Sequence, residues 1–337
     1  MITAIIPVDL ARRPVSLLRN IHRVLVDANS QNLQIVVGHN DRNTIYDYAL
    51  RLICEWRKIR RVGERFYTGN VVNNAILRNA AMRQVETPLT LLLDADLYLH
   101  PRVLAKVAAS VQSNERPFRI LPCLYLSRRG SKKLICRKID ADALFSEYLN
   151  FKRASFLHLA LPSSVTVFRT DDFERVGGFD CGFSGHGYED FDFLIRLAWL
   201  HEQIPKSQDL LINNPTRSTL LSTGFRAHLA RLALPELFDG NVAFHIWHAT
   251  ERDAYYDARS SNEISFKEKI AAQLLEKKFD CTPTFNYEFP LIDWWIDLCR
   301  QRNVDVLKYS VLFDNHPGHV DRFDTSLRRL KFLMGMY

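Results

Sequence analysis

Residues 90–104 read TLLLDADLYLHPRVL: a run of leucines carries straight into Asp94-Ala95-Asp96, and a second apolar run follows before Pro101. Aspartate is a poor strand former and costly to bury without a partner. The leucines need a core, so the two acids mark the point where a buried strand leaves it. Alternation along an extended chain aims Asp94 and Asp96 to one side and Ala95 to the other. In an open α/β sheet, ligands bind beyond the carboxyl ends of the strands. Two carboxylates placed there invite a hard divalent cation or a sugar hydroxyl. A lone Asp-x-Asp also reads as a solvated turn, with Asp96 starting the next element.

The flanking sequence supports a buried approach. ITAIIPV (2–8), LQIVVGH (33–39) and PLTLLLDAD (88–96) read as strands. VSLLRNIHRVLV (15–26), TIYDYALRLICEW (44–56), NNAILRNAAMRQV (73–85) and PRVLAKVAASVQS (101–113) carry apolar residues at helical spacing, the last with proline at the first helical position. Strands alternating with helices predict crossover units and a mainly parallel sheet covered on both faces. Beyond residue 115 the pattern loosens. SRRGSKK (127–133) reads as a polar, basic connector, SSVTVFR (163–169) and NVAFHIWH (241–248) as strands, and DDFERVGGFD (171–180) and YEDFDFLIRLAWL (188–200) as helices. After residue 262 the chain reads as mostly helical.

The chain has 337 residues, 47% of them hydrophobic, enough for one large core or two modest domains. No apolar run approaches the ~18–20 residues of a membrane span. MITAIIPV lacks a basic leader and reads as a first strand, so a cytoplasmic location is expected. Cys54, Cys123, Cys136, Cys181, Cys281 and Cys299 form no Cys-x-x-Cys pair and read as free, mostly buried thiols. The net charge of +7 suits an anionic substrate or a membrane surface. Its arginines and lysines are dispersed without a reader motif, which argues against nucleic acid as a partner. The terminal SLRRLKFLMGMY (326–337) reads either as a packed helix or as a peripheral attachment to an anionic inner membrane.

A second cluster lies at VGGFDCGFSGHGYEDFDFLIR (176–196). Its glycines permit close backbone approach to a ligand, and Glu189 and Asp190 open a helix. Acids in a first helical turn are favoured by the dipole alone. No strand runs into a G-x-G-x-x-G turn here, so a dinucleotide fingerprint is excluded.

GGFDCGFSGHGYEDFDFLIRL (177–197) resembles the signature of the galactosyltransferase C-terminal region found in β-1,4-galactosyltransferases and bacterial capsule and chondroitin-type glycosyltransferases. AIIPV (4–8), AILRNAAM (75–82) and LLLDADLYLHP (91–101) resemble the nucleotide-sugar half of family 2 glycosyltransferases, and FHIWHATERD (244–253) their later histidine segment. The resemblance covers about residues 2–275. It implies a GT-A α/β fold over 1–275, leaving 276–337 as a helical C-terminal extension. It implies a metal-dependent, inverting transfer of a hexose or N-acetylhexosamine from a UDP-sugar to a hydroxyl of a glycan acceptor in bacterial polysaccharide synthesis. Pro7, Val8 and Arg12 then fall where the first strand meets uracil, and Arg78 and Asn79 in a segment approaching the nucleotide. Asp94 is assigned to the ribose or a metal-bound water, Asp96 to the metal (Mn²⁺ or Mg²⁺), and His248, helped by His245, to its later ligands. Asp190 is assigned as the base, beside Glu189. His186, Gly187 and Tyr188 fall in the acceptor loop, where the family often has Trp-Gly-Gly. That departure leaves the acceptor open.

The chemistry fits these residue types. A diphosphate leaving group needs a Lewis acid, and imidazole in the shell favours Mn²⁺ weakly over Mg²⁺. A carboxylate within hydrogen-bond reach can take the acceptor's proton. His245 and His248 are three apart in a strand-like run and do not simply share a face, and either reads also as a packing histidine. Trp247 and Tyr188 can stack on sugars or fill the core. Two rival readings are a sugar nucleotidyltransferase and a non-catalytic sugar-binding protein. The first normally has a glycine-rich loop after the first strand, where this chain has PVDLARRPVS, and intact Asp94, Asp96, Asp190 and His248 argue against the second. The donor sugar and oligomeric state stay open.

Overall fold

The computed structural model describes residues 1–29, 33–216, 218–249, 254–275 and 290–314, and the single residues 327, 330, 334 and 335. The first half alternates as the sequence predicts: β1 (Ile2–Val8), α1 (Pro14–Asn29), β2 (Gln34–Asn40), α2 (Ile45–Arg57), β3 (Arg60–Glu64), α3 (Asn74–Met82), β4 (Leu89–Leu92), β5 (Leu97–Leu99) and α4 (Pro101–Gln112). Local chemistry sets several boundaries. Thr44 caps α2 by accepting from the Asp47 N–H, and Asp47 accepts in return from the Thr44 N–H at 2.8 Å. Pro101 opens α4 behind the His100 cap.

The middle of the chain is denser than its sequence pattern. It contains β6 (Phe118–Ile120), β7 (Cys123–Leu126), α5 (Arg128–Ile135), α6 (Ala141–Leu149), β8 (Phe156–Ala160), β9 (Thr166–Arg169), α7 (Thr170–Arg175) and α8 (Glu189–Leu200). The stretch 127–133, expected as a connector, is a helix. Ser127 caps it, accepting from the Gly130 N–H at 3.1 Å, and Gly130 lies so close to the Ser155 carbonyl that a Cβ would approach it to 2.0 Å. A glycine read as a loop signal is therefore a packing contact. The chain continues through β10 (Asn213–Asn214), β11 (Thr223–Gly224), α9 (Phe225–Ala233), β12 (Ala243–His245), α10 (Ala254–Asp257), α11 (Arg259–Leu275) and α12 (Pro290–Gln301).

The main sheet has the order β3-β2-β1-β4-β9-β6, parallel from β3 to β4 and antiparallel through β9 and β6. Strands covered on both faces read as continuous apolar runs, and β1 and β4 are buried along almost their whole length. Ile5, Val36, Leu92 and Phe168 point to one core with α8, whereas Ala4, Ile6, Val37, Leu91 and Val167 point to the other. The fold is thus the expected α/β class, a mainly parallel sheet flanked by helices.

A second sheet, β5-β12-β7-β8, was not foreseen. The expected strand 88–96 ends at Leu92 in the main sheet, and after the aspartates β5 joins this second sheet. Within 241–248 only Ala243–His245 is strand. Residues 290–314 pack into the larger core. Trp295 is fully buried, stacked on Phe238 with ring centroids 4.8 Å apart, and Tyr309 meets it edge-on at 5.5 Å.

Cys54, Cys123 and Cys299 are buried free thiols, Cys136 and Cys181 are free and exposed, and Cys281 lies outside the described residues. Among the described residues no helix is long and apolar enough to cross a membrane. Most of SLRRLKFLMGMY, including Arg328, Arg329 and Lys331, lies outside the described residues.

Helix α3 lies flush on β2 because Gly38 has no side chain. A Cβ there would come within 2.0 Å of the Leu77 carbonyl oxygen. Gly38→Ala is expected to push α3 away and cost about 1–3 kcal/mol, as overpacking does. A urea midpoint unchanged from wild type would contradict this packing account.

Candidate active site

The two sheets diverge at the aspartates, and a cleft of about 580 Å³ opens there. Its lining includes Pro7, Asp9, Arg12, Arg13, Arg78, Asp94, Asp96, Glu189, Asp190, His245, Trp247 and His248. That volume is typical of a small-molecule site.

Strand pairing assembles the Asp96 cluster. β12 runs antiparallel to β5 with His245 opposite Leu97, and the Ile246 N–H donates to the Asp96 carbonyl at 2.8 Å. This register places His245 Nε2 3.4 Å and His248 Nε2 3.2 Å from Asp96 Oδ2. Burial alone would raise the Asp96 carboxyl, but the two imidazoles hold it well below the usual carboxylate range. Asp96, His245 and His248 each offer one ligand atom, and these lie within 4.8 Å of one another. The two carboxylate–imidazole separations match the roughly 3.0–3.6 Å ligand–ligand edges around an ion with bonds of about 2.0–2.3 Å. The donor set therefore fits a first-row divalent cation, and both histidines belong to it. The sequence spacing alone had not placed them on one side.

Three adjacent strands support His245. Its ring stacks on Tyr125 of β7 at 4.1 Å, and Tyr125 stacks on His158 of β8 at 4.3 Å. The three residues are direct cross-strand neighbours. Trp247 is fixed by its backbone N–H, which donates to Ser131 Oγ at 2.7 Å, and by Arg128, 4.7 Å over its ring.

Arg78 of α3 is 2% exposed and bridges two carboxylates. Nη2 donates to Asp94 Oδ1 at 3.0 Å, and Nη1 to Glu189 Oε1 at 3.3 Å. Glu189 is buried, with Oε2 lacking any partner among the described residues. Burial and then the Asp190 charge push its carboxyl up to about 7, against the pull of Arg78. Asp190 lines the cleft and accepts from the Phe191 N–H through Oδ1 at 2.9 Å.

At the carboxyl end of β1, Asp9 is a site residue the sequence reading missed. It is buried, which acts to raise its carboxyl, but Arg42, the Ala11 N–H, Asn40 and Tyr67 all donate to it and hold it below the ordinary range. Arg13, 3.9 Å from Asp96, and Tyr125, Arg226 and Arg259 were likewise missed. The only available signal was an acid and two arginines directly after a strand, in PVDLARRP.

Three assigned residues do not reach the cleft. Val8 is 1% exposed in the core beside Pro7, which does line it. Asn79 faces the glycine-rich loop: it donates to the Phe179 carbonyl at 2.8 Å and accepts from the Phe179 N–H at 2.9 Å. Tyr188 starts α8 at φ +79°, buried, with its hydroxyl donating to Glu263 at 2.7 Å. A chain that turns through the left-handed region swings that ring inward, so only His186 and Gly187 of the expected acceptor loop line the cleft. Burial, then the charges of Arg259 and Arg12, lower the His186 imidazole to about 4.

The profile of Glycosyltransferase like family 2 matches residues 53–270. No curated protein sequence matches the chain significantly. Among solved structures, the chain is similar to mannosyl-3-phosphoglycerate synthase from Rubrobacter xylanophilus (14% identity, 85% of this chain and 78% of that one, TM-score 0.43). It is similar to glucosyl-3-phosphoglycerate synthase from Mycobacterium tuberculosis, solved with Mn²⁺, UDP and glucosyl-3-phosphoglycerate (12%, 82% and 79%, TM-score 0.39). It is also similar to S. aureus TarS (12%, 84% of this chain, TM-score 0.36), of which it spans 44% of the length.

The raised Glu189 carboxyl has a testable sign. Its folded proton affinity exceeds the ordinary value near 4.5, so its contribution to stability is fully present below about pH 4.5 and is lost as pH rises through about 7. Glu189→Gln is expected to flatten the fall in urea midpoint between pH 5 and 8. A variant that keeps the wild-type slope would remove Glu189 as its source.

Proposed function

The chain belongs to glycosyltransferase-like family 2, and from that membership we propose that it moves a hexose or N-acetylhexosamine from a UDP-sugar to a hydroxyl of a glycan acceptor, with inversion. Bacterial polysaccharide synthesis in the cytoplasm is the setting proposed. The observation that carries this reading is one cleft holding both a carboxylate–imidazole cluster, Asp96, His245 and His248, and a separate accessible carboxylate, Asp190.

Pro7, Arg12, Arg13 and the Asp9 network supply a rigid polar end for the nucleotide. Asp94, held by Arg78 on one oxygen and by Ser164 at 3.4 Å on the other, presents a fixed acceptor to a ribose hydroxyl or a water. Asp96, His245 and His248 would hold Mn²⁺ or Mg²⁺. When bound, such an ion neutralises charge developing on a departing diphosphate. In the transfer, the acceptor oxygen forms a bond to the anomeric carbon as the bond from that carbon to the phosphate oxygen breaks. UDP leaves with the electron pair, and the hydroxyl proton passes to Asp190. One base and one displacement invert the anomeric centre.

Glu189 is the rival base, because a carboxyl near 7 suits proton transfer at neutral pH. Against it stand its burial and its engagement with Arg78. Its role in this reading is to hold Arg78.

A panel of UDP- and GDP-sugars scored for metal-dependent UDP release tests the reading. Asp190→Asn is expected to lower turnover at least ~10²-fold while leaving UDP affinity within about twofold. His248→Ala is expected to weaken Mn²⁺-dependent UDP binding by about tenfold or more. Wild-type turnover in Asp190→Asn, alongside an inactive Glu189→Gln, would hand the base to Glu189. UDP binding indifferent to Mn²⁺ in every form would remove the metal from the scheme.

A further inference from the structure

The cleft carries a pair of cations that the transfer scheme does not use. Arg226, at the start of α9, and Arg259, at the start of α11, both line it. They are packed on one aromatic cluster at the head of α8. The Arg226 guanidinium lies 4.8 Å over the Phe191 ring and 5.1 Å over Phe225, and Arg259 lies 5.5 Å over Tyr188. Tyr188 and Phe191 meet edge-on at 5.8 Å, with Asp190 between them in sequence.

Among the described residues neither arginine has a carboxylate within ion-pair distance. Arg226 Nε donates to Asn213 Oδ1 at 2.7 Å, but Nη2 is buried without a hydrogen-bond partner. Glu263, one turn along α11 from Arg259, is committed to Lys267 at 2.8 Å and to the Tyr188 hydroxyl. Burial, then the charge of Arg259, lowers the Arg226 guanidinium from its ordinary value against the opposing pull of Tyr188 and Asp190, so the two cations feel each other. The same charge helps to keep His186 neutral. Like charges gathered on a half-buried wall are unfavourable by themselves, and a guanidinium fork matches a phosphate or carboxylate. The donor end of the cleft has its own cations, Arg13 beside Asp96 and Arg78 beside Asp94. Arg226 and Arg259 instead lie against the head of α8, which carries Asp190, and the loop that carries His186 and Gly187: a Cβ at Gly187 would come within 3.1 Å of Arg259 Nη1, and Asn262 of α11 donates to the Gly187 carbonyl at 3.1 Å.

We propose that Arg226 and Arg259 form a subsite for an anionic group, phosphate or carboxylate, carried by the acceptor, so that the glycan receiving the sugar is itself anionic. This rests on the sugar-transfer reading and names the acceptor class that reading leaves open.

The test uses the full chain saturated with UDP, which occupies the diphosphate end. Inorganic phosphate and acetate are titrated calorimetrically at constant ionic strength into wild type, Arg226→Gln, Arg259→Gln and the double variant. Transfer rates are measured with glucose, glucose 6-phosphate and glucuronate as paired neutral and anionic acceptors. Wild type is expected to bind an anion, each single variant to bind it at least about tenfold more weakly, and UDP affinity to change less than about twofold. Phosphate against acetate, and glucose 6-phosphate against glucuronate, identify the group. Arg259→Lys, which keeps the charge, should retain part of the binding and so separates a lost cation from a damaged fold. Equal anion binding by wild type and the double variant, or faster transfer to glucose than to either anionic sugar, would overturn the proposal. Failure of wild type to bind UDP, with arginine-dependent anion binding intact, would instead overturn the sugar-transfer reading and leave the anion site standing.

Discussion

A single buried guanidinium joins the parts of this protein that must meet. Arg78 projects from α3, pairs with Asp94 just after β4, and pairs with Glu189 at the head of α8. Burying an ion costs several kcal/mol, and that cost is offset only where geometry and partners are good. Arg78 has two carboxylates and the Phe179 ring, 5.2 Å from its guanidinium carbon. Removing it would strand Glu189, already pushed up by burial, beside Asp190. The pairing connects residues 16 and 111 positions apart in the chain. It therefore fixes the aspartate turn and the start of the acid-bearing helix relative to each other.

Helix α3 extends this role to the glycine-rich loop. Asn73 caps the helix by accepting from the Ile76 N–H and donates to the Cys181 carbonyl, and Asn79 holds Phe179 on both its backbone groups. From the far side, Asn262 of α11 donates to the Ser184 and Gly187 carbonyls. Side-chain amides thus satisfy backbone groups that neither helix nor sheet reaches in this loop. The second sheet completes the cleft from the other direction, since a three-strand row of rings positions one of the two imidazoles that meet Asp96.

Long periodic helices and strands buried on both faces were legible because each carries its own signal. In TIYDYALRLICEW the apolar spacing and the Thr44–Asp47 cap agree, and α2 forms there. In AIIPV and TLLL continuous apolar character matches two-sided burial. The short strands β6, β7 and β8 carry no comparable pattern in three to five residues. SRRGSKK misleads because its helix has little apolar face and is held mainly by polar contacts to distant residues, Lys133 to Glu147 and Ser131 to Trp247, beside its cap and the Gly130 contact. In the site, Asp94, Asp96, Asp190 and His248 stood out as chemical types in telling places, whereas Asp9, Tyr125, Arg226 and Arg259 have ordinary sequence surroundings.

The sequence by itself determined the α/β class, the buried strand that leads up to two aspartates and the acid-headed helix after a glycine-rich loop, because these follow from local periodicity and composition. Only the tertiary structure decided that His245 and His248 both face Asp96, that Tyr188 turns into the core, and that two arginines share a wall with Asp190. The physical reason is that these outcomes depend on register and backbone handedness. One residue of slip between β5 and β12 would turn His245 away from Asp96, and a negative φ at residue 188 would redirect the Tyr188 ring. No stretch of sequence read alone encodes which distant strand it will pair with.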